Sequence, residues 1–124
     1  MMNNITPDND RIPQPEGKII IESLSATPYP DRRRVRIEIN VTPFQKRPNL
    51  LLATRNANSN QLVGELDVIE TMHTHMEFTM HIRNVKEPAG TYDLTVDLFY
   101  ETRNPPQDKR TIQFIIPEIE KTSD

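Results

Sequence analysis

The stretch that most constrains the fold of this chain is "RRVRIEINV", from Arg33 to Val41. Within it, apolar Val35, Ile37, Ile39 and Val41 alternate with charged or polar residues. Successive side chains of a β-strand point to opposite faces, so this period of two predicts a strand with one buried face. The sequence contains no sustained apolar stripe of helical period, and this absence favours an all-β fold.

Six further segments fit strands, and proline, asparagine and glycine clusters separate them. These segments cover residues 18–25, 49–55, 61–70, 75–83, 91–101 and 110–117. The 124 residues suffice for one compact domain. The sequence therefore predicts a seven-stranded antiparallel sandwich over residues 18–117. The polar, proline-containing residues 1–17 and the polar residues 118–124 are expected to form flexible tails.

The segment "EPAGTYDLTVDL", residues 87–98, carries the most specific local pattern. It resembles the penultimate strand of immunoglobulin-like and fibronectin type III-like domains, where a Pro-x-Gly turn leads into Tyr-x-Leu-x-Val. The resemblance implies that Tyr92 forms a tyrosine corner and that Leu94 and Val96 face the core. The chain lacks the cysteine pair and the tryptophan of antibody domains. Because that superfamily shares an architecture and not an activity, no binding residues carry over.

Composition excludes several functions. With no cysteine, the chain has neither disulfides nor thiolate ligands. The net charge of −3 argues against a nucleic-acid partner. No apolar run approaches the roughly 20 residues of a membrane span, and "MMNNITPDND" has no signal-like pattern, so we expect a cytoplasmic protein without membrane contact.

All three histidines lie in "TMHTHMEFTMHIR", residues 71–83. Alternation predicts that Met72, Met76 and Met80 face the core, because burial of each apolar side chain stabilises the fold by roughly 1.5–3 kcal/mol. The histidines then lie on the outer face. Methionine is therefore interpreted as core filler and not as a metal ligand.

Arg34, Arg36, His73 and His75 define a candidate anion face on this outer surface. His73 and His75 have the His-x-His spacing that binds zinc on a strand, and Glu38 of the second strand is a third ligand candidate. The alternative is a solvated face on which the arginines pair with Asp31, Glu38 and Glu77. We favour that alternative and predict neither a metal nor a cofactor.

The other sheet offers a candidate partner surface. Alternation places Leu51, Phe99 and Ile115 outward, with Asp97, Gln113 and Arg55 at the rim. A contiguous exposed apolar patch often marks a protein partner surface, including one for a second copy of the chain.

An enzymatic function is not expected. No serine lies in a nucleophile elbow, and the three glycines cannot form a phosphate loop. Asp93 and Asp97 on one strand face would be ~13 Å apart, beyond the ~5–9.5 Å of glycoside hydrolysis. The sequence predicts a non-catalytic binding or structural module that acts through a sheet face or an edge strand, including self-association, on a protein partner. The alternative is a metal- or anion-binding protein, and a small-molecule substrate is not expected.

Overall fold

The computed structural model describes residues 11–119, and their fold is an all-β sandwich of seven strands. A short 3-10 helix, Glu16–Lys18, precedes the strands. The strands are β1 (Ile21–Pro28), β2 (Arg34–Val41), β3 (Asn49–Asn56), β4 (Leu62–Val68), β5 (His75–His81), β6 (Gly90–Phe99) and β7 (Asp108–Ile116). The predicted fold class is confirmed. No helix in residues 11–119 is long and apolar enough to span a membrane, and the predicted compartment stays a prediction.

The strands form two antiparallel sheets. One has the order β1-β2-β5 and the other the order β4-β3-β6-β7. The predicted neighbours are confirmed, because β5 pairs with β2, and β6 lies between β3 and β7. The two sheets pack face to face over a common apolar core.

The core consists of every second residue of the paired strands. The clearest runs are Val35, Ile37, Ile39 and Val41 on β2 and Tyr92, Leu94, Val96 and Leu98 on β6, all 0–1% exposed. Each residue of this kind stabilises the fold by roughly 1.5–3 kcal/mol through burial. A register slip by one residue would expose a whole run, so the apolar pattern fixes the strand pairing.

Side chains of β7 and of the residue before it close the sandwich on the β1 side. Asp108 Oδ2 accepts a hydrogen bond from the Ile21 amide at 2.7 Å, and Arg110 Nη1 donates to the Ile21 carbonyl at 3.0 Å. Gln107 Nε2 donates to the Ile19 carbonyl at 2.8 Å. These contacts satisfy the amide and carbonyl of Ile21 at the start of β1 and the carbonyl of Ile19 before it.

The predicted N-terminal tail includes residues that contact the domain. Gln14 forms a parallel bridge with Phe44, and its amide donates to the Pro43 carbonyl at 2.9 Å. Arg11 pairs with Glu22 of β1. Residues 11–17, assigned to the tail from composition, therefore lie against the domain. The other tail predictions, for residues 1–10 and 120–124, fall outside the described residues.

The methionine prediction is confirmed at two of three positions. Met76 and Met80 are buried, whereas Met72 is 68% exposed. The reason is the strand boundary: β5 begins at His75, so the alternation does not extend back to Met72. His73 lies outside the strand for the same reason.

Tyr92 makes the hydrogen bond of a tyrosine corner. Its hydroxyl donates to the Pro88 carbonyl at 2.7 Å, and its ring stacks on Phe114 with centroids 5.6 Å apart. Gly90 completes the turn with φ of +147°, a value that other residues rarely adopt. Burial raises the pKa of the Tyr92 hydroxyl, which therefore stays a donor.

Replacement of Tyr92 by phenylalanine tests this contact. Tyr92→Phe leaves the buried Pro88 carbonyl without its donor, so we expect a loss of about 1–3 kcal/mol in the free energy of unfolding. Denaturant titration measures the loss. The matched control is Tyr29→Phe, whose hydroxyl lies 3.4 Å from Thr79 in an exposed contact, and we expect a change within about 0.5 kcal/mol. Equal losses in both variants would contradict the corner's role.

Candidate functional site

The pairing of β2 with β5 builds a charged cluster on the outer face of the three-stranded sheet. Glu38 lies opposite Glu77, and Asn40 lies opposite His75. Arg36 Nη2 is 2.7 Å from a Glu77 carboxylate oxygen and 3.4 Å from a Glu38 carboxylate oxygen. One arginine therefore bridges two carboxylates from neighbouring strands.

The predicted anion face presents arginines that already have partners. Arg34 Nε contacts Asp31 at 2.7 Å, and its guanidinium lies 4.3 Å from the centre of the Tyr29 ring. Arg36 is paired with Glu77 as described above. The carboxylates predicted from the sequence to pair with these arginines, Asp31, Glu38 and Glu77, are thus the ones in contact with them. Pairing reduces the positive charge that an anion would meet.

Glu38, His75 and Glu77 bring one potential ligand atom each to within 4.8 Å of one another. Arg36 already supplies positive charge to both carboxylates. His75 Nδ1 lies 2.8 Å from Asn40 Oδ1, a contact that holds the imidazole toward β2. The predicted His73–His75 pair does not share a strand face, because His73 precedes β5. The geometry therefore describes an ion-pair network.

Glu38 and Glu77 each bring one carboxylate oxygen to within 4.8 Å of the other, closer than the ~5–5.5 Å between the two carboxyl groups of retaining glycosidases. Such chemistry needs a general acid with a raised pKa. The hydrogen bond from Arg36 instead lowers the pKa of Glu77. Spacing along one strand does not reveal this pair, because Glu38 and Glu77 lie on neighbouring strands. Only the cross-strand register places them opposite each other.

The structure does not bring the predicted partner surface together. Leu51 lies opposite Asp97, but Leu51 is only 9% exposed. Phe99 is at the end of β6, whereas Ile115 lies opposite Thr91 near its start. Eight residues of strand, roughly 26 Å, separate Phe99 from that end. Gln113 lies near Ile115, opposite Asp93, so the apolar members form no contiguous patch.

A polar cleft of about 380 Å³ lies on this same sheet. Its floor contains Ala53 and Thr95, which are paired across β3 and β6, and Thr95 contacts the Thr111 hydroxyl at 3.1 Å. Longer side chains and two loops form its walls. The residues that line the cleft are Leu51, Ala53, Arg55, Asn60, Glu65, Asp93, Thr95, Asp97, Arg103, Asn104, Lys109 and Thr111. The sequence placed Leu51, Arg55 and Asp97 at the predicted partner surface and Asp93 on one strand face with Asp97, but it predicted no cleft there.

Asp97 has an unusual environment in this cleft. Its side chain is 13% exposed, and its Oδ1 atom is buried without a hydrogen-bond partner in residues 11–119. Lys109 Nζ lies 3.9 Å from that oxygen, an ion pair too long for a hydrogen bond. The oxygen therefore retains acceptor capacity.

A second groove, of about 610 Å³, lies where β4 leads into β5. Its wall includes His73, and its apolar lining includes Ile69 and Met72, which are 73% and 68% exposed. The structure thus places His73 on a groove wall, away from Arg34.

No family model and no curated protein matches the chain. Solved structures do. A glycosyl hydrolase family 2 member from Bacteroides cellulosilyticus is 10% identical with a TM-score of 0.56, covering 79% of this chain and 15% of that chain. A β-glucuronidase from Ruminococcus gnavus, in complex with D-glucuronic acid, is 14% identical with a TM-score of 0.53. That match covers 80% of this chain and 16% of the other. The likeness is one of fold.

These comparisons contradict the function predicted from the sequence. The β-sandwiches that this chain resembles are small parts of glycoside hydrolase chains. Two functions had been inferred from surface polarity alone. One was a module that acts through a sheet face or edge strand, including self-association, and the other was metal or anion binding. The arginine pairings and the separation of Phe99 from Ile115 remove the observations on which both depended.

Removal of the Arg36 guanidinium tests the ion-pair network. In Arg36→Gln, we expect the pKa of Glu77 to rise toward its ordinary value of 4.5, because the hydrogen bond that lowers it is lost. Carboxyl NMR titration measures this shift. The matched control is Arg34→Gln, which should raise the pKa of Asp31 and leave that of Glu77 unchanged.

Arg36→Gln should also change how the stability of the fold depends on pH. A folded-state pKa below the unfolded value stabilises the fold above the unfolded pKa, and this contribution is lost as pH falls through the folded pKa. We expect the stability of the wild type to fall in acid below about pH 4.5, and Arg36→Gln to show a smaller fall. Parallel stability curves for the two proteins would contradict the coupling.

Proposed function

We propose that this chain is a non-catalytic accessory β-sandwich that acts beside a glycoside hydrolase chain. The observation that carries the proposal is the fold match to family 2 glycosyl hydrolase chains, with a TM-score of 0.56. This chain spans about 15% of the length of the matched chain. A domain of that share is an accessory to the remainder, and its partner is then a protein.

The arrangement of carboxylates supports a non-catalytic role. Asp93 and Asp97 lie on one strand face four residues apart, opposite Gln113 and Lys109 of β7. The carboxylate oxygens of Glu38 and Glu77 lie within 4.8 Å of each other, and the Arg36 hydrogen bond lowers the pKa of Glu77, which favours its ionised form. Neither pair combines a proton donor with a nucleophile at the required spacing.

We further propose that the sandwich is of the immunoglobulin-like, fibronectin type III-like kind. Two features support this finer assignment. The strand orders β1-β2-β5 and β4-β3-β6-β7 divide seven strands as three and four. The hydrogen bond from the Tyr92 hydroxyl to the Pro88 carbonyl supplies the tyrosine corner of that architecture.

The non-catalytic role is tested with the purified chain and a set of aryl glycosides, including a β-glucuronide. We expect no release of the aryl group above the buffer rate. The control for contamination is the double variant Glu38→Gln with Glu77→Gln, which removes the one close carboxylate pair described here. Hydrolysis by the wild type that disappears in the double variant would overturn the proposal.

The accessory role has a separate test. We expect the chain to form a complex with a family 2 glycoside hydrolase from the same genome and to change its kcat/KM or its unfolding temperature. Light scattering of the mixture and of each protein alone detects the complex. An unrelated glycosidase of similar size is the control. If no complex forms and the kinetics do not change, the accessory role is refuted.

A further inference from the structure

We infer that the cleft on the four-stranded sheet, which we call the Asp97 cleft, binds a neutral saccharide. This inference rests on the proposed function, because it names the ligand class of the accessory sandwich. It revises the expectation that no small molecule is bound. Three features of the cleft support it: its shape, its charge balance and the environment of one carboxylate oxygen.

The shape follows from side-chain size and from the loops at the two ends of the sheet. Ala53 lies opposite Thr95, and Thr95 lies opposite Thr111, so the central row of the face consists of small side chains. Asn60 comes from the β3–β4 loop, and Arg103 comes from the β6–β7 loop. The resulting volume of about 380 Å³ is in the range of roughly 300–1,000 Å³ typical of small-ligand sites.

The charges that line the cleft are balanced. The cationic side chains are those of Arg55, Arg103 and Lys109, and the carboxylates are those of Glu65, Asp93 and Asp97. An anionic ligand meets three carboxylates, and a cationic ligand meets three basic groups. A neutral ligand with both donors and acceptors avoids both penalties. Each saccharide hydroxyl both donates and accepts, so it can bond to carboxylates and to guanidinium groups alike.

Asp97 supplies the most specific acceptor. Its Oδ1 atom is buried and has no hydrogen-bond partner in residues 11–119, and Lys109 Nζ is 3.9 Å away. A buried carboxylate oxygen without a donor is unfavourable, and hydrogen bonds to charged groups are among the stronger ones in proteins. Oδ1 is closed to solvent in this conformation, so a ligand hydroxyl would satisfy it once a neighbouring side chain moves aside. Leu51, opposite Asp97, is largely buried and contributes only a small part of the cleft lining.

NMR titration of the full chain with cellobiose, a neutral disaccharide, tests the inference. We expect amide shifts in β3, β6 and β7 at millimolar cellobiose. Asp97→Asn should weaken binding roughly 10-fold or more, as expected for one charge-assisted hydrogen bond. The matched control is Asp67→Asn, an exposed carboxylate of β4 on the same face that does not line the cleft, and it should bind like the wild type.

A stability measurement distinguishes ligand binding from a structural role for Asp97. The replacement is isosteric and removes a charge that is largely buried, so we expect the denaturation midpoint of Asp97→Asn to equal or exceed that of the wild type. Lower stability together with unchanged cellobiose binding would overturn the assigned role.

Glycine and D-glucuronate serve as competing probes. Glycine represents a zwitterionic ligand that could bridge the basic and acidic groups, and D-glucuronate represents an anionic sugar. Binding of glycine in preference to cellobiose would overturn the inference. The inference would also be overturned if only D-glucuronate bound and its binding became stronger in Asp97→Asn. The absence of amide shifts with every saccharide would overturn it too. Saccharide binding without a glycosidase complex would refute the accessory role and leave the cleft assignment intact.

Discussion

Pairing of β3 with β6 determines the geometry of the four-stranded sheet, because alternate residues of both strands pack into the shared core. Leu52 lies opposite Val96, and both are fully buried. A slip by one residue would turn these side chains outward, so burial fixes the register. The same register places Ala53 beside Thr95 on the outer face and thereby creates the floor of the Asp97 cleft. Core packing on one side of the sheet thus sets the polar chemistry on the other.

The three-stranded sheet uses its outer face differently. There, the register brings Glu38 and Glu77 together, and Arg36 bridges them. Exposed ion pairs of this kind contribute little to stability individually. Because these charges are already paired with each other, they are not available to bind a ligand. The two outer faces therefore differ in chemistry, because Arg36 pairs with both carboxylates on one face, whereas Asp97 on the other has a buried oxygen without a hydrogen-bond donor in residues 11–119.

Sequence patterns predicted the features that depend on local periodicity. All seven strands and the hydrogen bond of Tyr92 could be predicted, since alternation and a Pro-x-Gly turn are properties of short segments. The exposure of Met72 could not be predicted, because it depends on where β5 begins. The separation of Phe99 from Ile115 depends on antiparallel register. The cleft needs both register and the path of two loops, and neither has a signature in one sequence.

The side-chain contacts between β7 and β1 have a consequence for behaviour at high concentration. An edge strand with free amides and carbonyls is a template on which another chain can add a strand and start aggregation. Around Ile21, the exposed backbone groups are already bonded to Asp108 and Arg110, and Gln107 bonds to Ile19. Three polar side chains therefore block intermolecular pairing at the start of this edge, and they can vary without any change in the apolar core.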